Sequence, residues 1–441
     1  MPKPSDIPAC PVAPSSRLSD RVIRDYQISL ITPLFGGGVE AGAPDETLPI
    51  RGTSIRGQLQ FWWRATRGGE FGACADLFAR HADVWGKTDK ASPVEIEVRE
   101  VPPALQKPCA RYVPGNGGKL RLNWDKPFEG SDRVLPYALF PFQGKLSKDW
   151  RTVEKAPAQF IEAASFTLRV RYPQALQRDV ETAVRAWVSF GGLGARTRRG
   201  CGALVCKELA PKDINDLQRW FQTGSFPVTS SVRDWPTMPS SLLVGNKPEE
   251  PLLAWKTVLG LLQAFRQGVG TARNPGQQSN RPGRSRYPEP ETLRRVTNTR
   301  SWQHLRLEHI PEDAFPRAEF GLPIVFHFQG QGEPPDTELY PSRASDGEPR
   351  ERMASPLVLK PLAMADGKAV PLILRLVTPP LTGVELKQGS RLLPFPATAV
   401  RDARLATYRD SPLTGAASGS AIEAFLLHAR KSNNGFREVT R

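Results

Sequence analysis

The sequence TPLFGGGVEAGAPDETLPIRGTSIRGQLQFWWRATR, residues 32–67, is the stretch on which the interpretation of the fold rests. Alternating apolar residues predict a strand over 26–32, which leads into this stretch. A glycine turn at 36–38 follows, and a helix is predicted from Ser54 to about Arg67. Ser54 is a suitable helix cap, because its side-chain oxygen can accept a hydrogen bond from an early backbone N–H.

The 3.6-residue period divides the predicted helix into an apolar stripe and a basic face. The stripe can pack on a sheet and contains Ile55, Leu59, Trp62 and Thr66, widened by Phe61 and Ala65. The basic face contains Arg56, Gln60, Trp63, Arg64 and Arg67, and Arg51 lies just upstream. Guanidinium groups pair with phosphate oxygens and an exposed aromatic ring stacks on unpaired bases, so this face suits a nucleic-acid backbone. A solvated helix with a partly buried tryptophan is the alternative interpretation.

A second stretch, FGGLGARTRRGCGAL at 190–204, again combines glycine with arginine. Glycines allow positive φ angles and a close approach of the backbone to a ligand, and arginines supply partners for phosphate. The candidate RNA-binding residues in this loop are Gly192, Gly194, Arg196, Arg198, Arg199 and Gly200. A plain β-turn loop on a basic protein is the alternative, and two such stretches on one chain weigh against it.

Further alternating runs predict strands at 94–98, 166–171 and 203–208, with a helix at about 176–187. The order β-α-β-β-α-β is the ferredoxin-like pattern, which RNA-recognition sheets also use. In the second half, helices are predicted near 255–265, 289–295 and 422–429, and strands at 322–328, 357–361 and 370–377. Pro323 and Pro371 indicate that two of these strands lie at sheet edges or begin there. We therefore predict an α+β protein with two ferredoxin-like (RRM-like) domains that carry insertions.

The predicted domain division follows composition. Residues 1–20 are a flexible arm, and 21–210 form the first ferredoxin-like domain, with an insertion at about 101–160 that carries a hairpin or two. Residues 211–240 are a linker, and 241–441 form the second, decorated domain. Within that domain, 268–286 is predicted to be a flexible, very basic loop that orders on RNA or serves as a spacer.

The G-x-G-x5-G-x-G spacing at 192–202 resembles the signature of the RAMP superfamily, the RNA-binding subunits of CRISPR systems. Together with TPLFGGG and PIRGTSIRGQLQFWWRA, it is similar to the family of first Cmr RAMP subunits in type III-B effector complexes. Three later stretches resemble the same family in the same order: GRSRYPEP (283–290), FPRAEFGLPIVF (315–326) and RMASPLVLKP (352–361). Gln60 departs from an expected arginine, and Tyr287 departs from an expected tryptophan.

The resemblance implies a non-catalytic, RNA-binding subunit of an antiviral ribonucleoprotein, placed near the 3′ end of the guide RNA. Its implied partners are the CRISPR guide RNA, the target RNA and neighbouring Cmr RAMP subunits. In the predicted groove, Arg56, Trp63, Arg64 and Arg67 line one wall and the loop at 192–202 lines another. Arg284, Arg286 and Arg352 extend the path from the second domain. We expect contacts to the RNA backbone rather than base reading, because a guide-binding subunit must accept many sequences.

Charge and composition are consistent with this prediction. The chain has 60 Lys and Arg against 45 Asp and Glu, a net charge of +15, which predicts an acidic partner, nucleic acid first. General solubility is the alternative explanation of that charge. No apolar run approaches the about 20 residues of a membrane-spanning helix. The first 20 residues lack the apolar segment of a signal peptide, so a cytoplasmic location is expected.

No catalytic residue, metal site or cofactor is predicted. None of the five histidines lies in a glycine-rich stretch, and His327, within an apolar strand pattern, is interpreted as structural. Asp25, Asp45 and Asp234 form no recognisable metal cluster, and nucleotide-binding glycine motifs are absent from the sequence. Two alternatives stay open: a RAMP-type endoribonuclease acting on guide or target RNA, and a protein-only scaffold subunit.

Overall fold

The computed structural model describes residues 20–38, 42–101, 105–130, 133–224, 226, 232–276, 283–299, 313–328, 332–343 and 347–441. The predicted N-terminal arm, apart from its last residue, lies outside these ranges. The centre of the predicted basic loop, 277–282, also lies outside them, as do His304 and His309.

Strands and helices are mixed along the described residues, and the strand pairs within the sheets are antiparallel, so the protein is of the α+β class. The strands are β1 (Arg21–Leu30), β2 (Leu34–Phe35), β3 (Glu95–Arg99), β4 (Gln106–Pro108), β5 (Ala110–Pro114), β6 (Leu120–Trp124), β7 (Lys145–Leu146), β8 (Val153–Lys155), β9 (Gln159–Ile161), β10 (Ser165–Pro173), β11 (Leu204–Val205), β12 (Ser241–Gly245), β13 (Ile324–Phe326), β14 (Thr337–Pro341), β15 (Leu357–Ala363), β16 (Ala369–Arg375), β17 (Gly383–Gln388), β18 (Arg391–Pro396) and β19 (Phe436–Thr440). The helices are α1 (Gly52–Arg67), α2 (Cys74–Trp85), α3 (Val134–Leu139), α4 (Gln177–Phe190), α5 (Leu217–Gln222), α6 (Pro251–Gln267), α7 (Glu289–Val296), α8 (Ala397–Val400) and α9 (Ala421–Arg430). In the part of the chain that the structure describes, no helix is long and apolar enough to cross a membrane.

The first sheet has the strand order β11-β1-β10-β3. In chain order these are the fourth, first, third and second strands of the predicted run, with α1 after the first strand and α4 after the third. Apolar and polar side chains alternate along β1, so that Tyr26 and Ile28 are buried while Gln27 between them is exposed. The helices cover the face that carries the apolar side chains. The alternating runs near 26–32, 94–98 and 166–171 are therefore strands, as predicted, although β1 begins earlier, at Arg21.

The second sheet has the order β15-β16-β12-β19, with α6 after β12 and α9 before β19. Its two faces belong to different cores. Val358 and Leu362 join the core that contains α1 and α4, whereas Leu357 and Leu359 join the core that contains α6 and α9. Because α4 contacts both β10 and β15, the two halves of the chain share one continuous core.

Smaller elements surround these layers. The region predicted as an insertion forms two hairpins, β5–β6 and β7–β8, and α3, which packs on α6. A third sheet, β13-β14-β17-β18, covers its own small core with α7 and α8. Residues 211–240, predicted as a linker, contain α5, which buries Trp220 and Phe221 in the first core.

The prediction that Pro371 marks an edge or a strand start is wrong. It lies inside β16, which is an interior strand between β15 and β12, and it is paired with Pro361. Neither proline has an N–H group, so facing each other they leave no donor unpaired. Pro323 fits its prediction, since it directly precedes the edge strand β13.

Candidate nucleic-acid interface

The two glycine-rich stretches, far apart in sequence, form one backbone unit. Gly202 N donates to Pro33 O at 2.8 Å, and Ala195 N donates to Phe35 O at 2.6 Å. The Thr32 hydroxyl donates to Gly200 O at 2.6 Å and accepts from Ala203 N at 2.8 Å. The loop at 192–202 is therefore fixed on the strand and turn that precede α1.

The glycines of the loop are required by neighbours within the protein itself. A Cβ on Gly194 would lie 2.2 Å from Phe35 O, and one on Gly192 would lie 2.6 Å from Gly202 O. A Cβ on Gly200 would lie 2.5 Å from Trp255 Nε1. Gly194 and Gly200 also have positive φ angles of 76° and 80°, which favour glycine. The predicted close approach exists, but the approaching atoms are those of the chain itself.

Helix α1 differs from the prediction at its start. It begins at Gly52, and Arg51 occupies the cap position without a side-chain cap hydrogen bond. Ser54 is the third residue of the helix, so its predicted capping role is wrong. Arg51 instead donates to Gly37 O, beside the point where the Gly37 and Gly194 backbones approach each other.

The predicted basic face of α1 is covered by α2, a helix that was not predicted from the sequence. Arg56 donates to Trp85 O and, at 3.2 Å, to Val94 O, just where α2 ends and the chain turns towards β3. Arg64 lies 3.4 Å from the His81 ring of α2. Burial lowers the pKa of both arginines. Their donors serve internal contacts, so this face is not an open groove wall.

Trp63, predicted to be exposed, is fully buried. Its Nε1 donates to the Asp179 carboxylate of α4 at 2.8 Å. Arg80 donates to the same carboxylate at 2.6 Å, and Arg67 Nε lies 3.4 Å from it. A buried carboxylate needs such partners, because an unpaired one is costly away from water. Trp63 and Arg67 are therefore parts of a structural network, and the prediction of an exposed aromatic is wrong.

Arg198 and Arg199 join the glycine loop to the second half of the chain. Arg198 donates to Ser355 O, and its guanidinium lies 5.4 Å from the centre of the Phe61 ring. Arg199 donates to Leu357 O at 3.0 Å, and its own carbonyl accepts from Trp255 Nε1 at 2.6 Å. Both side chains are half-buried, so they act first as links between the two halves.

Five half-buried arginines from four separate segments are linked by shared contacts or by the effect of one charge on another's pKa, and are called the arginine cluster. They are Arg196 and Arg199 of the glycine loop, Arg266 in the last turn of α6, Arg273 in the turn that follows, and Arg317 in the 3-10 helix Pro316–Phe320. The sequence predicted no binding role for the last three of these arginines. Arg273 lies in the predicted basic loop at 268–286, and Arg317 lies in the stretch 315–326 that resembles the RAMP family. No sequence pattern distinguishes Arg266.

The pKa values show that these charges affect one another. Burial, followed by the charges of Arg266 and Arg196, lowers the pKa of Arg199 to about 9. Burial and then Arg317 lower the pKa of Arg273. Burial opposes the charge of Arg317 as well, but Glu289 and Tyr287 raise its pKa overall. Guanidinium groups stay protonated at neutral pH, so the cluster concentrates positive charge.

Part of this charge has no internal partner. The Nε atoms of Arg196 and Arg266 are buried, and neither has a hydrogen-bond partner among the described residues. Arg266 stacks over the Phe320 ring at 5.4 Å, which orients its guanidinium without neutralising it. The Nε atom of Arg317 also makes no hydrogen bond to the residues that the structure describes, but it lies 3.1 Å from the Glu289 carboxylate, which neutralises its charge as an ion pair. Unpaired guanidinium groups in a half-buried setting favour the binding of an anion.

The three remaining candidate arginines differ in their surroundings. Arg284 pairs with Glu291 at 2.9 Å, and Arg286 donates to Asn274 Oδ1 at 2.8 Å, so both hold the base of the predicted basic loop. Arg352 is exposed. It lies three residues before Ser355, whose carbonyl accepts a hydrogen bond from Arg198.

The open face of the first sheet carries paired charges instead of stacking rings. Arg169 makes two hydrogen bonds to Asp25, at 2.7 and 2.6 Å, and Arg171 pairs with Glu95 and Glu97. The side chains on this face in β1, β3 and β10 are Arg21, Ile23, Asp25, Gln27, Ser29, Glu95, Glu97, Arg99, Ser165, Thr167, Arg169 and Arg171. RNA-recognition sheets stack bases on aromatic residues, which this face lacks.

The prediction that His327 belongs to an apolar strand is wrong. It directly follows β13, its side chain is 62% exposed, and Nδ1 lies 2.6 Å from Asp336 Oδ1. His81 is packed edge-on against Trp63, and burial followed by Arg64 and Arg56 lowers its pKa, so its ring is neutral at pH 7. Neither histidine touches the arginine cluster in the contacts described.

The first half of the chain, which contains the first sheet and the glycine loop, is similar to known proteins. Residues 27–205 match the family model described as the RAMP superfamily. A curated relative, "CRISPR system Cmr subunit Cmr1-2" of Pyrococcus furiosus, is 24% identical over 192 residues, which cover 42% of this chain and 95% of the relative.

Solved structures with similarity include Cmr1 from Pyrococcus furiosus in the apo form, 19% identical with a TM-score of 0.42, covering 82% of this chain and 89% of that one. A chain in the cryo-EM structure of the type III-B Cmr-beta complex bound to cognate target RNA is 12% identical with a TM-score of 0.44, covering 81% and 94%. The similarity of this chain to the RAMP superfamily model thus covers residues 27–205.

Proposed function

We propose that this protein is a non-catalytic, RNA-binding subunit of a type III-B CRISPR (Cmr) effector complex. Its partners are guide RNA, target RNA or both near the guide 3′ end, together with neighbouring RAMP subunits. The proposal is supported by the match of residues 27–205 to the RAMP superfamily model and by the relative named as a Cmr subunit. It is also supported by two sheets whose strand orders are those of ferredoxin-like domains, which we assign to both halves.

The arginine cluster is the observation that carries the RNA-binding proposal. Its members come from segments that are far apart in sequence, from Arg196 to Arg317. Among the ion pairs of the described residues, Glu289 neutralises one member, Arg317. Burying guanidinium groups and bringing like charges together both cost folding free energy, and burial first, followed by the charges of Arg266 and Arg196, lowers the pKa of Arg199. An RNA phosphate relieves this cost by bringing negative charge to the half-buried guanidinium groups.

The proposed contacts are to phosphates and not to bases. Arginine forks at the cluster recognise phosphate geometry, which does not depend on sequence. The exposed Arg352 would extend the same path, whereas Arg56, Trp63, Arg64 and Arg67 support the domain from inside. This arrangement differs from the groove predicted from sequence, in which the α1 helix formed one wall.

Binding of the purified protein to labelled single-stranded RNA across a salt series tests this function. If about five phosphates are neutralised, the logarithm of affinity falls against the logarithm of salt concentration with a slope of roughly −3.5. The RNA is checked for integrity in the same samples. Salt-sensitive binding to intact RNA supports the proposal, and cleaved RNA favours an endoribonuclease. No binding, or a slope near zero, contradicts RNA holding by this chain and favours a protein-only scaffold.

A further inference from the structure

The residue Trp150 is exposed and strained at once. Its φ angle is +64°, in the left-handed region that bulky residues rarely adopt. The side chain remains 58% exposed, so burial of the ring does not offset the strain. A bulky residue persists in such a conformation when the surrounding structure imposes it, and such outliers cluster at functional sites.

Hydrogen bonds on both sides fix the backbone that presents this ring. Trp150 N donates to Ser147 O at 2.9 Å, and Trp150 O accepts from Leu120 N at 2.7 Å. Ser147 N donates to Thr152 O at 2.9 Å and closes the turn between β7 and β8. The Asp149 carboxylate accepts from the Ser147 hydroxyl and from Arg151 N, so its charge stabilises the turn. The ring is therefore held outward on a fixed support.

The surroundings of Trp150 are cationic. The Leu120–Trp150 hydrogen bond joins the β5–β6 hairpin to the β7–β8 turn, and the residues next to this bond or within the turn are Lys119, Arg121, Lys148 and Arg151. All four side chains are exposed, and none makes an ion pair within the described part of the chain. An outward aromatic ring among unpaired cations matches the chemistry of single-stranded nucleic acid, whose bases stack and whose phosphates need counter-charges.

We propose that Trp150 is a stacking platform for an unpaired RNA base, a contact point separate from the arginine cluster. The ligand is the same RNA, so the inference rests on the proposed function. The cations around the ring hold the phosphates on either side of the stacked base. This site adds base contact, without sequence preference, to the phosphate contacts of the cluster, because every base has a face that stacks.

The test uses the full chain with Trp150→Gly and Trp150→Phe. Glycine removes the ring and relieves the positive φ, whereas phenylalanine keeps a ring in the same backbone. Each variant is titrated with single-stranded RNA and with an abasic oligomer of equal length and charge. We expect Trp150→Gly to bind RNA about tenfold more weakly, within the range for loss of one stacked base, and to bind the abasic oligomer like wild type. Trp150→Phe should retain most of the RNA affinity, and thermal unfolding of Trp150→Gly should occur at the wild-type temperature or above it.

The outcomes separate this inference from the proposed function. If wild-type protein binds no RNA, both are overturned. If wild type binds RNA and Trp150→Gly binds it equally well, only the stacking inference fails. An equal loss of affinity for RNA and for the abasic oligomer also overturns it, because the tryptophan would then support the turn and not stack on a base.

Discussion

Replacing two unpaired members of the arginine cluster should weaken RNA binding without destabilising the fold. The Nε atoms of Arg196 and Arg266 are buried without a partner, so Arg196→Gln with Arg266→Gln breaks no hydrogen bond described for those atoms. The change also removes two of the positive charges that lower the pKa of Arg199. Near a protein surface, two like charges about 8 Å apart repel by roughly 2 kcal/mol. The free energy of unfolding should therefore stay level or rise.

The expected loss in RNA affinity follows from the contacts removed. A hydrogen bond to a charged group contributes about 1.5 kcal/mol at the lower end, so two lost phosphate contacts cost about 3 kcal/mol. That corresponds to roughly a hundredfold increase in Kd. If each arginine neutralises one phosphate, the salt slope changes from about −3.5 to about −2.1, because each phosphate contributes about 0.7 on single strands.

The assay is fluorescence anisotropy with labelled single-stranded RNA at several salt concentrations, with urea unfolding on the same preparations. The control is Arg178→Gln with Arg409→Gln, which removes the same charge from side chains that are 61% and 91% exposed. A cluster variant that binds no more weakly than this control would refute the reasoning, because net charge alone would then explain RNA affinity. A cluster variant with a lower free energy of unfolding than wild type would refute the claim that these two charges destabilise the folded protein.

Three further predictions concern the support of the site. Trp63→Phe should lower the free energy of unfolding by about 1–3 kcal/mol, because it removes a buried hydrogen bond to Asp179. The Kd for RNA should stay unchanged. A large loss of RNA affinity in the folded variant would contradict the internal role of this ring. Gly202→Ala, whose Cβ would lie 2.0 Å from Leu193 O, should destabilise the protein far more than Gly117→Ala, which has a positive φ but open space, and equal urea midpoints would be inconsistent with this packing. Burial lowers the pKa of Lys360 to about 7, so between pH 7 and about 10.5 the unfolded chain binds more protons at this group and its contribution to stability rises with pH. Lys360→Met should therefore show a smaller rise in unfolding free energy from pH 7 to 9 than wild type, whereas parallel pH curves would exclude this titration.

The sequence predicted those strands and helices in which apolar residues recur with the period of the element, because one face of each is buried. The strands β1, β3 and β10 and the helices α1 and α4 follow from alternation and from the 3.6-residue period, because each has one apolar face. Period alone does not show what covers the polar face. The arginines of α1 therefore resembled an open surface, although α2 lies over them.

Long-range partners explain the remaining errors. Trp63 lies 116 positions from Asp179, and no local pattern relates the two. Pro371 was expected at an edge because a single proline removes one donor, but its pairing with Pro361 depends on strand register. Composition also does not specify that Trp220 and Phe221, inside the predicted linker at 211–240, pack in the shared core.

The motif in the glycine loop predicted where the loop lies but not which residues it packs against. The sequence identified the loop and its arginines, and the structure brings Arg196 and Arg266 close enough to Arg199 to help lower its pKa. The loop also needs glycine for packing against Phe35 and Trp255, which no motif specifies. Arg266 belongs to the cluster only because α6 packs beside the second sheet, so its position depends on the complete fold.

The central claim is that RNA lies on the arginine cluster, and crosslinking tests it most directly. Single-stranded RNA containing 4-thiouridine is bound to the purified protein, irradiated and digested, and the crosslinked peptides are mapped by mass spectrometry. The account predicts crosslinks in the peptides that contain Arg196, Arg266, Arg273 and Arg317. Crosslinks confined to α1 and α2, or to the open face of the first sheet, would contradict it.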